Sequence, residues 1–171
     1  YSPQIWCSDN TDAHERTFIQ YGTSFFYPIS TVGSHVSAVP NHQTGRITSL
    51  DTRGIVAMAG SFGYELDLST LTEEEKETMK EQVKKYRQYQ LLIHNGDYYR
   101  LTNPHNSRIA AWQWNDNTNG NVLVQGVVFR AVANMVRDKI KLMGVDALAK
   151  YKLKGTGEIY SGMALMTGGI L

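Results

Sequence analysis

The chain has 171 residues, of which 42% are hydrophobic, and its 17 Lys and Arg nearly balance its 16 Asp and Glu. A chain of this length can bury a stable core in one domain or two small ones. The balanced charge, with no long basic run, excludes the electrostatic pattern of a nucleic-acid or membrane-surface binder. No apolar run approaches the roughly 20 residues that span a bilayer, so we expect neither nucleic acid nor a membrane as a partner.

The single cysteine, Cys7, excludes an intrachain disulfide and the C-x-x-C motifs of zinc and redox sites. A chain without disulfides is typical of a reducing compartment, so we expect a cytoplasmic protein. The histidines form neither an H-x-x-x-H nor an H-x-H pair, and no glycine-rich phosphate loop is present. The sequence therefore predicts neither a zinc site nor a phosphate-binding loop.

The first part of the chain alternates short apolar runs, polar loops and helices, and this order occurs twice. Two consecutive βα units imply a parallel sheet, either doubly wound or closed into a barrel. In both architectures the chemistry lies on the loops that follow the strands. The predicted units are strands over residues 3–7 and 31–39, polar loops over 8–12 and 40–49, and helices over 13–21 and 50–59, the first ended by Gly22 and the second capped by Ser49.

A third helix, predicted over residues 72–94, has the clearest signals. Thr72 and Glu75 form a capping-box pattern, in which each side chain can bond the backbone N–H of the other. Apolar residues then recur every three or four positions on one face, and Gly96 can end the helix in a left-handed conformation. We therefore predict a boundary between two regions near Gly96.

Beyond this boundary the sequence reads almost wholly as short strands separated by turn-forming residues. Residues 117–121 predict a hairpin turn, because Asn and Gly tolerate positive φ. The alternation of Trp112 and Trp114 predicts one face buried on a second sheet or on the preceding helix. This half is therefore predicted to be an antiparallel β domain. Its predicted strands cover residues 98–102, 109–114, 122–132, 139–143, 150–153 and 158–160.

Two aspartates in the first polar loop are the candidates for chemistry. Asp12 and Glu15 form a capping-box pattern, which gives Asp12 a structural role at the start of the first helix. Asp9 has no such role and directly follows the strand, although a hydrogen bond to loop backbone would also explain it. A carboxylate there can serve general acid/base chemistry if a second carboxylate lies nearby, and the sequence offers no clear partner.

The residues around this loop resemble a known family. The runs over residues 1–13, 15–16, 19–24, 35–46, 62–68 and 96–101 are similar to the C-terminal part of bacterial α-galactosidases of glycoside hydrolase family thirty-six. The most specific element is the S-D-x-x-D motif over residues 8–12, with its flanks. The likeness is dense over residues 1–102 and thins beyond, to the rhythm of strands and a Tyr-Ser-Gly at 160–162.

The resemblance implies a (β/α)8 TIM barrel followed by an antiparallel β-sandwich. Residues 1–95 would then be the last βα units of the catalytic barrel, and residues 96–171 a truncated C-terminal sandwich. The chain would be a fragment, cut at both ends, of a longer enzyme that forms a homo-oligomer.

The resemblance also implies an activity. The enzyme would be a retaining glycoside hydrolase that removes terminal α-linked galactose from substrates such as melibiose and raffinose, without a metal or cofactor. Asp9 would be the general acid/base, with Asp12 as second choice, and Trp6, Cys7 and Ser8 would flank the site and could contact the substrate. The family's nucleophile lies in a K-W-D motif that this sequence lacks, so we expect the chain alone to be inactive.

Three alternatives stay open at this point. The chain is alternatively a non-catalytic structural or oligomerisation fragment of such an enzyme, or part of an α-N-acetylgalactosaminidase of the same clan. As a third alternative, a free-standing carbohydrate-binding module would expose Trp112 and Trp114 on one flat face, so buried indoles would exclude it.

Overall fold

The computed structural model describes residues 3–131, 133 and 138–170. Helices and parallel strands come first in this part of the chain, and antiparallel strands follow. None of its helices is long and apolar enough to cross a membrane. The elements in chain order are α1 (Ala13–Thr23), β1 (Gly33–Ser37), α2 (Leu50–Ala57), β2 (Ser61–Glu65), α3 (Glu73–Asn95), β3 (Asp97–Arg100), β4 (Ile109–Asn115), β5 (Val122–Val128), β6 (Lys150–Lys152), β7 (Ile159–Ser161) and α4 (Gly162–Thr167).

The parallel region follows the predicted βα order. Strands β1 and β2 pair in parallel, with Ser37 opposite Glu65 at their ends. The run predicted as a strand over residues 3–7 forms a single parallel bridge, from Ile5 to Val32, beside the start of β1. Because three parallel segments run in the same direction, their carboxyl ends lie at one edge, and the loops that lead into α1 and α2 leave from that edge.

The first two helices begin where the sequence predicts and end differently. Asp12 caps α1, and Ser49 caps α2. The prediction that Gly22 ends α1 is wrong, because Ser24 donates its N–H to the Gln20 carbonyl at 3.0 Å and extends the helix to Thr23. Helix α2 stops two residues earlier than predicted, where the backbone tightens into three-residue turns.

Helix α3 confirms the predicted capping box: the Thr72 side chain accepts from the Glu75 N–H, and the Glu75 side chain accepts from the Thr72 N–H. Gly96 follows the helix, but its φ of −76° is extended and not left-handed. The reason for glycine is close packing: a Cβ at this position would lie 2.6 Å from the Leu92 carbonyl and 2.9 Å from the Asn115 carbonyl. A side chain would therefore separate the end of α3 from β4.

The antiparallel region contains a sheet in the order β3-β4-β5 and a smaller β6-β7 pair. The predicted turn between β4 and β5 is confirmed, with Gly120 at a φ of +68° and the Asp116 N–H bonded to the Asn121 carbonyl at 2.8 Å. Strand β5 stops at Val128, short of the predicted end, and Phe129 turns to pack on the rings of α1. Residue 132, the predicted end, lies outside the described residues.

The predicted strand over residues 139–143 is wrong, because only Ile140 makes a bridge, to Ile170. The Met143 backbone is held instead by a side chain: the buried Gln113 amide donates to the Met143 carbonyl at 2.6 Å and accepts from its N–H at 3.1 Å. An amide side chain thus takes the place of a neighbouring strand.

The two regions share one hydrophobic cluster. It joins Val32 and Val56 of the parallel region to Ile93 of α3 and to Trp112 and Trp114 of β4. The exposed fractions of the two indoles are only 6% and 0%. The carbohydrate-binding-module alternative, which needs both indoles on an exposed face, is therefore wrong.

Candidate active site

Asp9 lies in the loop that leaves the first parallel segment and enters α1. Its side chain is exposed, and its Oδ1 accepts a hydrogen bond of 2.7 Å from the indole Nε1 of Trp6. The bond spans three residues, so it fixes the carboxylate within its own loop. This is the only hydrogen bond of the Asp9 side chain within the described ranges, which leaves Oδ2 open to a ligand.

An open cleft of about 470 Å³ surrounds this carboxylate. The cleft lies at the edge where the parallel segments end: Ser37 closes β1 and Glu65 closes β2. Trp6 and His42 also line it. Glu65 thus brings a second carboxylate to the wall of this cleft, which no local sequence pattern predicted. Its position opposite Ser37 depends on parallel pairing, a long-range feature that no local motif reports.

Asp12 has a different environment, and it is 2% exposed. Its carboxylate accepts from the N–H groups of His14 at 2.8 Å and Glu15 at 3.1 Å, from the Thr44 hydroxyl at 2.7 Å and from Arg46. Burial raises the pKa of Asp12, but the hydrogen bonds from Thr44, from the Glu15 backbone and from Arg46 outweigh it and hold the pKa below its ordinary value. Asp12 is thus an ionised cap with its oxygens occupied.

Of the three flanking candidates, only Trp6 lines the cleft. It is 48% exposed, and its ring lies 5.0 Å from that of His35. Cys7 is half-buried, and its Sγ accepts from Arg16 at 3.0 Å. The Ser8 hydroxyl accepts from the Asn10 N–H at 3.0 Å, which shapes the loop around Asp9. The Cys7 and Ser8 side chains thus bond to neighbouring residues and do not line the cleft.

His35 lies in the middle of β1, with its ring beside that of Trp6. Burial lowers its pKa; the negative charge of Glu65 opposes this effect, and the positive charge of Arg16 adds to it. Its Nδ1 is buried without a hydrogen-bond partner in the part of the chain that the structure describes. The His35 imidazole therefore favours its neutral form and packs against the Trp6 ring, which lines the cleft.

Two buried arginines hold the loops at this edge, and neither was among the residues predicted from the sequence. Arg16 in α1 donates to the carbonyls of Ser8 and Asn10, each at 2.7 Å. Arg53 in α2 donates to the carbonyls of Ser37 at 2.6 Å and Thr48 at 3.0 Å. The available signal was positional, since each arginine is the fourth residue of its helix.

One group of side chains in the described residues, formed by Asp12, His14 and Glu15, has possible metal-ligand atoms within 4.8 Å of one another. Its buried member is already bonded to two backbone amides, Thr44 and Arg46. We therefore assign no metal ion to this group.

Comparison with known families matches both regions. Residues 1–96 match the Melibiase family, and residues 109–171 match the Glycosyl hydrolase family 36 C-terminal domain. Among curated proteins, the chain is 54% identical over 170 residues to the bifunctional α-galactosidase/sucrose kinase AgaSK of Mediterraneibacter gnavus, covering 99% of this chain and 18% of that protein. It is 49% identical over 170 residues to the α-galactosidase AgaA of Geobacillus stearothermophilus, covering 99% and 23%. The chain thus spans about a fifth of the length of these relatives.

Solved structures agree with this result. The galactosidase domain of AgaSK superimposes with a TM-score of 0.97 at 54% identity, over 99% of this chain and 24% of that one. A variant of AgaA from Geobacillus stearothermophilus in complex with raffinose superimposes with a TM-score of 0.94 at 48% identity, over 98% and 23%. Another AgaA variant is in complex with stachyose.

Proposed function

The chain belongs to glycoside hydrolase family 36, and from this membership we propose that it carries the acid/base carboxylate of a retaining α-galactosidase. The substrates are oligosaccharides with a terminal α-linked galactose, as in raffinose. The observation that carries the proposal is the contrast between two carboxylates of one loop. Asp9 stands exposed in a cleft with one oxygen free, whereas Asp12 is buried and fully bonded.

The architecture belongs to the same proposal. Residues 1–95 form the last βα units of a TIM barrel, and residues 96–171 belong to a C-terminal antiparallel β-sandwich. Parallel segments that alternate with helices support the barrel, and the β3-β4-β5 sheet supports the sandwich. The cleft lies at the carboxyl ends of the parallel segments, where TIM-barrel enzymes carry their active sites.

In the proposed reaction, Asp9 acts twice. Protonated Asp9 gives its proton to the glycosidic oxygen while a nucleophilic carboxylate attacks the anomeric carbon, the C–O bond breaks, and the leaving sugar departs as an alcohol. The Asp9 carboxylate then takes a proton from water, whose oxygen displaces the nucleophile and releases galactose with retained configuration. The nucleophile comes from a part of the enzyme outside this chain, because the K-W-D motif is absent here.

Asp9 is also suited to this exchange by its single hydrogen bond. The Trp6 N–H holds Oδ1, so the carboxyl keeps one orientation while Oδ2 gains and loses the proton. We assign Trp6 to the substrate-binding wall of the cleft, and Cys7 and Ser8 to the support of the loop.

The setting of the whole enzyme completes the proposal. A single cysteine supports a cytoplasmic location. Exposed apolar side chains such as Phe26 (85% exposed) and Leu148 (92%) offer surface to the rest of the enzyme and to other subunits of a homo-oligomer.

The proposal is tested with Asp9→Ala in the full-length enzyme that contains this chain. We expect kcat/KM for raffinose to fall roughly 10²–10⁴-fold, the range of general acid catalysis, and far less for a dinitrophenyl α-galactoside, whose leaving group needs no proton. Azide should restore turnover and give α-galactosyl azide, because it replaces the water that Asp9 would activate.

The matched control is Asp12→Asn, three residues away. It should lower thermal stability, and its activity should show neither azide rescue nor a dependence on the leaving group. If Asp12→Asn alone gave azide rescue, or if Asp9→Ala kept its activity on raffinose, Asp9 would not be the acid/base.

A further inference from the structure

We propose that Arg16 is a positioning residue that holds the Asp9 carboxyl in place for proton transfer; this inference rests on the proposed role of Asp9. Arg16 bonds the backbone around Asp9. Arg16 Nε donates to the Asn10 carbonyl and Nη2 to the Ser8 carbonyl, each at 2.7 Å. These carbonyls belong to the residues on either side of Asp9, so one guanidinium fixes the Ser8–Asp9 peptide before it and the Asn10–Thr11 peptide after it.

The same guanidinium also bonds the parallel sheet. The remaining nitrogen, Nη1, donates to the Gly33 carbonyl at 3.2 Å and to the Cys7 Sγ at 3.0 Å. Gly33 is the first residue of β1, so the arginine ties the Asp9 loop to a strand of the parallel sheet. A planar guanidinium with several donors can serve these acceptors together, whereas a lysine ammonium cannot match their spread.

Arg16 also lies beside the indole ring that bonds the Asp9 side chain. Its guanidinium carbon lies 5.4 Å from the centroid of the Trp6 ring, and this indole donates the 2.7 Å hydrogen bond to Asp9. Arg16 therefore supports the backbone on both sides of Asp9 and the ring that orients its carboxylate.

The charge of the Arg16 guanidinium is buried. Arg16 is 3% exposed, and no carboxylate within the described residues lies in salt-bridge range of it. Burying a cation without a counter-ion costs free energy, and an apolar side chain could fill the same space. An apolar side chain could not donate hydrogen bonds to the two carbonyls. We therefore attribute the presence of a buried charge at this position to its role in holding the loop.

Arg53 provides a matched control within the chain. It occupies the same fourth position of its helix and is 6% exposed. It also grips two carbonyls, of Ser37 and Thr48, but these do not flank a carboxylate. A lysine at this position therefore disturbs a loop in the same way without touching Asp9.

The experiment compares Arg16→Lys with Arg53→Lys in the full-length enzyme, using raffinose and a dinitrophenyl α-galactoside. For Arg16→Lys we expect kcat/KM on raffinose to fall about 10-fold to 100-fold, the cost of a catalytic group displaced by about 1 Å, with a much smaller fall on the activated substrate. Its kcat on the activated substrate should rise with azide. Arg53→Lys should show neither leaving-group selectivity nor azide rescue, and thermal unfolding of both variants reports their folding.

Equal losses on both substrates for Arg16→Lys, or the same selectivity in Arg53→Lys, would overturn the inference. If Arg16→Lys gives no folded enzyme, Arg16→Met carries the test, because it fills the same space, removes the buried charge and cannot bond the two carbonyls. Leaving-group selectivity would support the inference, and its absence would overturn it. If Asp9→Ala itself lacks selectivity, the proposed function fails; if only the Arg16 variants lack it, the positioning role fails alone.

Discussion

The two loops at the carboxyl edge of the parallel sheet have similar structures but differ in the exposure and bonding of their side chains. Each leaves a parallel segment, ends in a polar helix cap and is gripped by an arginine from the first turns of the helix that follows. The first loop carries an exposed carboxylate, Asp9, and its cap is a buried aspartate. The second has an exposed serine cap, Ser49, with a weaker bond of 3.3 Å to the Thr52 N–H.

The difference is explained by contacts between the loops. Thr44 and Arg46 of the second loop both bond the Asp12 carboxylate of the first. Asn41, which is buried, donates to the Thr11 hydroxyl at 3.3 Å and accepts from the N–H groups of Gln43 and Thr44. The second loop therefore braces the first and leaves the Asp9 side chain exposed.

Removing the buried cap should break this arrangement most severely. Asp12→Ala in the full-length enzyme leaves two helix N–H groups and the Thr44 and Arg46 donors without their acceptor. We expect a loss of about 3 kcal/mol in the free energy of unfolding, the sum of a cap and a charged hydrogen bond. Denaturant unfolding measures this loss; a change below about 1 kcal/mol, the size of an ordinary cap, would show that the second loop does not brace the first.

The charge of Asp12 can be separated from its shape by changing the pH. Its folded-state pKa lies below the ordinary 3.8, so its ionised form contributes stability above that value, and the contribution is lost as the pH falls through the folded pKa. Asp12→Asn should be less stable than the unmodified enzyme near neutral pH, and the gap should narrow as the pH falls below about 4. Unfolding midpoints over this range test it, and a constant gap would contradict the ionised role.

The exposed cap of the second loop gives the smallest effect. Ser49→Ala removes one weak, solvent-exposed bond, so we expect a loss of only about 0.5–1 kcal/mol and unchanged kcat/KM on raffinose. Thermal unfolding and kinetics of the full-length enzyme check both values. A loss as large as that of Asp12→Ala would remove the distinction between the two loops.

The sequence predicted features whose signals are local. The caps at Asp12 and Ser49, the capping box at Thr72 and the turn at Gly120 each depend on a few consecutive residues, and the structure confirms all four. Asp9 was selected by the same local logic, since it follows a strand and has no cap to form; its catalytic role stays a prediction.

The features that the sequence did not predict depend on distant contacts. The parallel pairing of β2 with β1 places Glu65 at the cleft. Arg16 bonds backbone carbonyls, and the composition of the chain does not reveal such bonds. Residues 139–143 have the alternation of a strand, but Gln113 takes the place of the neighbouring strand. Gly96 was correctly placed at the helix end for the wrong reason, because tight packing on Asn115 requires it.

The hydrogen bonds that hold Asp9 join residues close together along the chain. The bond from Trp6 to Asp9 spans three residues, and the bonds from Arg16 to Asn10 and Ser8 span six and eight. Such short separations close loops at low entropic cost and favour early formation in folding. The surroundings of Asp9 can therefore form from a short stretch of the chain, before contacts with distant segments are made.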